Sequence, residues 1–124
     1  MKIIIPVESK TSDTSVCPSF GRTPFFMVFD TENQNCQFID NSASQSQGGA
    51  GIKASQILVD SGANVLITYR CGQNAADVLK AGGIQIYKAE ACSANENIQK
   101  YKDGKLAVLT EIHPGFHNHG GQNK

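Results

Sequence analysis

Residues 48–87, GGAGIKASQILVDSGANVLITYRCGQNAADVLKAGGIQIY, decide the fold. Within them Val65–Tyr69 is a short apolar run bounded by turn residues, the pattern of a strand covered on both faces. Two helical segments flank it closely enough to do the covering. The first is expected from about Ile52 to Ser61, burying Ala54, Ile57 and Leu58, with Gly62 as its left-handed terminus. The second is expected at about Ala75–Ala81, with Asn74 as N-cap, Ala75, Val78 and Leu79 buried, and Gly82 ending it. Ile84–Tyr87 then reads as another strand, so the stretch is a βα-type core. The turn Arg70–Asn74 opens a helix directly, which sets free backbone N–H groups and a positive dipole end beside a thiol and a guanidinium.

Working outward, Ile3–Val7 is a β-branched run and reads as a buried central strand, followed by a long loop through Cys17–Pro24. Phe25–Phe29 and Cys36–Asp40 are joined by turn formers over Asp30–Asn35, which predicts an antiparallel hairpin. The patch NSASQSQGGAG, residues 41–51, is polar and glycine-rich and is expected to be a mobile loop. Downstream, Ser93–Glu96 is a capping box that opens a third helix to Lys102, with Ala94, Ile98 and Tyr101 buried and Gly104 ending it. Leu106–Leu109 is expected to make a last extended contact. The order β-β-β-α-β-α-β-α predicts an α/β fold with a mixed five-stranded sheet and about three helices. Strand one is central, strand two is antiparallel to it, and strands four and five run parallel on its other side. The domain is expected over residues 1–110, with 111–124 a disordered tail carrying His113, His117 and His119.

Composition excludes several classes. A chain of 124 residues, 40% hydrophobic and 18% charged, suits one domain with a single core. Eleven basic against eleven acidic residues leave no net charge, so neither nucleic acid nor a membrane surface is an expected partner. No run approaches the roughly 20 apolar residues of a membrane span, and a cytoplasmic location is expected. In that reducing setting Cys17, Cys36, Cys71 and Cys92 are expected as thiols or metal ligands, and none forms a C-x-x-C pair. Any shared site must be assembled by the fold.

The predicted topology does that. Open α/β sheets bind ligands outside the carboxyl ends of their strands. On that edge should lie the Cys17–Thr23 loop, the Gly48–Gly51 loop, the Arg70–Asn74 turn and Ala89–Ser93. Cys17, Cys71, Cys92 and the two arginines of the chain, Arg22 and Arg70, would meet there. Cys36 starts strand three at the opposite edge and is expected to be structural.

Three blocks carry a resemblance: Cys17-Pro-Ser-Phe-Gly-Arg22, Gln47-Gly-Gly-Ala-Gly-Ile52, and Cys71-Gly-Gln-Asn-Ala75 followed by Val78-Leu-Lys-Ala-Gly-Gly-Ile84. Over about residues 1–109 the chain resembles the dinitrogenase iron–molybdenum cofactor biosynthesis family, which includes the NifX type and the carboxyl-terminal domain of the NifB type. The resemblance implies a ribonuclease-H-like fold that binds or carries an iron–sulfur or molybdenum-containing cluster without turning over a substrate, in exchange with cluster donor or acceptor proteins. The family often has His or Cys where this chain has Ser19, and Pro where it has Gln73, which makes Cys17 the candidate replacement ligand.

Each candidate has two readings. Cys71 is either a small apolar residue sealing a helix or a thiolate favoured by the helix terminus and Arg70. Cys17 is expected to be a ligand in a flexible loop, and Cys92 either a third ligand or the border of the third helix. Gly48, Gly49, Gly51, Gly72 and Asn74 are expected to contact an anion or cluster with Arg22 and Arg70, although the glycines match neither a P-loop nor a dinucleotide fingerprint. The tail histidines are accessory metal ligands or an unused polar tail. A nuclease is disfavoured because strand one carries no carboxylate, and a Cys nucleophile because every histidine lies in the tail. The remaining alternative to a cluster carrier is a metal-free anion-binding or interaction domain using Arg22, Arg70 and helix N-termini. Neither needs a metal in order to fold.

Overall fold

The computed structural model describes residues 1–11 and 13–109. Its elements are β1 (Lys2–Val7), β2 (Phe25–Asp30), β3 (Asn35–Asp40), a 3-10 turn (Ser42–Gln45), α1 (Ala50–Asp60), β4 (Val65–Thr68), α2 (Gln73–Ala81), β5 (Gln85–Lys88) and α3 (Ala94–Lys102). The sheet order is β3-β2-β1-β4-β5. β1 and β2 are antiparallel, as are β2 and β3, whereas β1, β4 and β5 run parallel. This is the ribonuclease-H-like mixed sheet, with β2 the reversed strand.

The alternation of β1 explains why it is central. Ile3, Ile5 and Val7 join Met27, Val65, Ile67, Ala94 and Ile98 on the face covered by α3. Ile4 joins Phe26, Leu66, Ala54, Leu58, Ala76 and Leu79 on the face covered by α1 and α2. With Ile3, Ile4, Ile5 and Val7 all shielded from water, both faces of one strand contribute to burial, at about 25 cal/mol per Å² of apolar surface.

The first two helices begin earlier than the sequence predicts, whereas α3 starts at Ala94 behind its expected Ser93 cap. α1 starts at Ala50 with Gly49 as N-cap, and α2 at Gln73 with Gly72 as N-cap, so Asn74 is inside the second helix rather than capping it. Glycine caps carry no side-chain signal, hence the late expected starts. Gly62 and Gly104 have positive φ after α1 and α3, as expected of helix terminators. β3 and β5 are offset from their expected bounds by one residue at one or both ends. Residues 41–51 are not one slack loop: Asn41 and Ala43 are buried, and the 3-10 turn and the first turn of α1 occupy much of the stretch. Asn97, unmarked by the periodicity of α3, is fully buried. It organises Ala89–Ser93 by accepting from Glu90 N–H (2.8 Å) and donating to the carbonyls of Glu90 (3.2 Å) and Ser93 (3.0 Å).

After α3 the chain returns along β5. Lys88 N–H donates to Ala107, Leu109 N–H donates to Ile86, and Val108 bridges Tyr87 antiparallel. Residues 107–109 therefore run antiparallel beside β5. The expected tail, with His113, His117 and His119, lies outside the described residues.

Candidate functional site

At the carboxyl edge of β1 and β4, three stretches line one cleft of about 810 Å³: Pro18–Arg22, Gln47–Ile52 and Arg70–Ala75. They are the three blocks singled out in the sequence, brought together by the topology. The first packs so closely on the second that a Cβ at Gly21 would lie 2.9 Å from Gly51 N and 3.0 Å from Gly51 Cα. Phe20 anchors this loop in the core against Phe26, with ring centroids 5.8 Å apart. Ser55, fully buried on α1, directs its hydroxyl at the carbonyls of Gly51 (2.8 Å) and Ala75 (3.2 Å), so the first turns of α1 and α2 are tied side by side.

The electrostatics of the cleft have one sign. Among the described residues, both arginines line it and no Asp, Glu or His does. Neither α1 nor α2 has a side-chain cap or an acidic residue in its first turn. Each therefore offers the N–H groups of its first turn and the positive end of its dipole without an internal acceptor. Arg22 Nη1 donates to the carbonyls of Ser44 (3.0 Å) and Ser46 (2.8 Å), and Lys53 Nζ reaches Ser46 Oγ at 2.7 Å. Two cationic side chains thus meet on the segment leading into α1.

The thiols divide. Cys71 lines the cleft, 2% exposed, and packs in the core cluster with Phe20, Ala54 and Ala75. Burial pushes its thiol up to about 11, against a smaller downward pull from Lys80. Of the two readings of Cys71, this favours the thiol packed against the helix over the ready thiolate. Cys17 is buried rather than carried in a flexible loop; its N–H donates to Pro6 (2.8 Å) beside the Val7–Val16 bridge. Cys92 precedes α3, on the opposite face of the sheet from α1 and α2, and its Sγ is 3.5 Å from Asn97 Nδ2. Burial, then Glu96, raise its pKa. Neither Cys17 nor Cys92 is among the cleft-lining residues, and Cys36 is exposed on β3. Among the described residues no three His, Cys, Asp or Glu side chains are grouped to hold a metal ion. Gly48, Gly49, Gly51, Gly72 and Asn74 all line the cleft. Sequence reasoning missed Asn41 and Ser55, whose one visible signal is a capping-type residue at the head of a polar patch and a serine four residues after Gly51.

The fold and cleft define a class: a small α/β domain with a cleft at the switch point between β1 and β4 that is cationic and, among the described residues, free of carboxylates. Comparison places it more closely. The dinitrogenase iron-molybdenum cofactor family matches residues 1–104, and the chain belongs to that family. It is 33% identical over 109 residues to an uncharacterized protein of Methanocaldococcus jannaschii, covering 86% of this chain and 89% of the relative. The apo form of the orange protein from Desulfovibrio gigas superposes with a TM-score of 0.84 at 32% identity, covering 88% of this chain and 92% of that one. A Thermotoga protein classed as NifB gives 0.78 at 32% identity over 96% and 98% of the two chains. Among the described residues no helix is long and apolar enough to cross a membrane.

Proposed function

We propose that this protein is a non-catalytic carrier that holds an anionic iron–sulfur or molybdenum-containing cluster in the cleft as cargo. The observation that carries this reading is the lining itself: Arg22, Arg70 and two uncapped helix N-termini converge with no carboxylate among them. Family membership and the likeness to the orange protein and the NifB-type structure support cluster chemistry over that of other anions. The donor set fits a cluster that keeps most of its own ligands. Guanidinium groups bind anions bidentately, amides at helix termini add directed donors, and Cys71 is the thiol on the wall. A site of this kind stays open, which suits passing the cluster from a donor protein to an acceptor. Among the described residues no His, Asp or Glu lines the cleft, and the Cys71 thiol there is held protonated by burial, so carriage fits better than turnover.

A second reading is favoured by the same donors: a metal-free anion-binding or interaction domain. Anaerobic purification and reconstitution separate the two. The carrier reading expects bound metal and visible absorbance in the parent, loss in Cys71→Ser and in Arg22→Ala/Arg70→Ala, and retention in Cys36→Ser and in a chain ended after Leu109. Cys17→Ser and Cys92→Ser decide whether thiols outside the cleft wall add ligands: retention leaves Cys71 as the cleft's thiol, and loss in either adds that cysteine to the set. Colourless, metal-free parent protein that still binds molybdate would support the second reading and defeat the first.

A further inference from the structure

Asn41 is 3% exposed and spends its polar groups on one task. Its Nδ2 donates to the carbonyls of Gly21 (3.0 Å) and Thr23 (2.9 Å), its Oδ1 accepts from Ala43 N–H (3.1 Å), and its own N–H donates to Pro24 (3.0 Å). The Gly21–Arg22 peptide and the Thr23–Pro24 peptide, one residue further on, are thereby fixed to the start of the 3-10 turn. That turn and the residue after it return the carbonyls of Ser44 and Ser46 to Arg22 Nη1. A guanidinium carries five N–H donors in one plane. Two carbonyls on Nη1 leave the three N–H groups of Nε and Nη2, and holding Nη1 on two sides sets the direction of that remaining edge.

We propose that Asn41 is a positioning residue for cargo binding: it holds the Arg22 loop and the 3-10 turn in the register at which the Nε–Nη2 edge of Arg22 is presented to an anion in the cleft. Asn41 does not touch the cargo. The inference rests on the anion-holding reading above, and its test separates the two.

The first readout needs no ligand. In the full chain, the nitrogen-15 heteronuclear NOE of Arg22 Nε should approach that of the backbone, and should fall in Asn41→Ser and Asn41→Asp while Arg70 Nε is unchanged. The second is molybdate affinity, expected to drop about tenfold in Asn41→Ser, the worth of roughly one hydrogen bond, and to drop no further when the same change is made in an Arg22→Lys background. A residue that only stabilises the fold would lower the melting temperature while leaving Arg22 Nε order and affinity as they are, and that result would overturn the proposal. If the parent binds no molybdate, the anion-holding reading falls and the Nε order alone decides the positioning role. If both variants fail to fold, a freely mobile Arg22 Nε in the parent still overturns it.

Discussion

The N-terminus of α3 and those of α1 and α2 solve the same problem in opposite ways. At α3, Ser93 Oγ accepts from Glu96 N–H (3.1 Å) and the Glu96 carboxylate accepts from Ser93 N–H (3.0 Å), a reciprocal cap that satisfies two donors and places an acid on the dipole. At α1 and α2 the caps are Gly49 and Gly72, with no side-chain acceptor and no acid in the first turn. The capped helix packs on the far face of the sheet, and the uncapped pair opens into the cleft. Helix ends that only have to fold are satisfied internally. The two at the cleft forgo a side-chain cap, which under the proposed function leaves their donors to the cargo.

The largest expected effect tests how closely the cleft walls are fitted. Gly21→Ala drives a methyl group into the backbone of Gly51 and Ala50 and should destabilise the protein by about 2–3 kcal/mol in urea unfolding. Gly48→Ala, with nothing within 4 Å of its Cβ, should stay within about 0.5 kcal/mol of the parent. Equal effects at the two positions would mean that the loop after β1 is not held against α1.

Next comes the capped side of the comparison. Ser93→Ala should cost about 1 kcal/mol of stability and leave anion binding intact. The Glu96 half of the box carries a pH signature. Hydrogen bonding to Ser93 holds the carboxyl below its ordinary 4.5, so its contribution is full above that value and is lost as pH falls through the lowered one. A Ser93→Ala variant that loses molybdate affinity would end the distinction between the two kinds of helix end.

An effect confined to alkaline pH is expected at Cys71. Its thiol titrates near 11 in the folded chain against 9.0 ordinarily, so the unfolded chain loses the proton first as pH rises, and stability should decline between those values. Cys71→Ala should remove that decline from unfolding curves measured across alkaline pH. An unchanged slope would place the thiol in a wetter setting than its 2% exposure describes.

Much of this architecture is readable in the chain because its signals are local and strong. The β-branched run at Ile3–Ile5, the turn formers between Phe29 and Cys36 and the flanked run at Val65–Thr68 give strand order, and strand order alone gathers Arg22, Gly49 and Arg70 on one edge. What composition hides is where polar side chains turn inward. Asn41 heads a stretch that looks like flexible linker, yet it is buried, because its amide serves carbonyls about twenty residues earlier in the chain. Helix starts at Ala50 and Gln73 escape notice because a glycine cap leaves no side-chain mark. Cys71 is likewise governed by packing: enclosure by the core raises its thiol and outweighs the opposing pull of Lys80.

Gly72→Asp tests the central claim most directly. Gly72 has an extended backbone, φ −75° and ψ 160°, which aspartate adopts freely, and the new carboxylate would cap α2 from within. The chain should gain about 0.5–1 kcal/mol, from the dipole interaction and from lowered unfolded-state entropy. After anaerobic reconstitution and gel filtration, metal per chain should remain with the parent and be absent from the more stable Gly72→Asp protein. Equal metal in both would contradict the account, since the donors left free at α2 would then not be what holds the cargo.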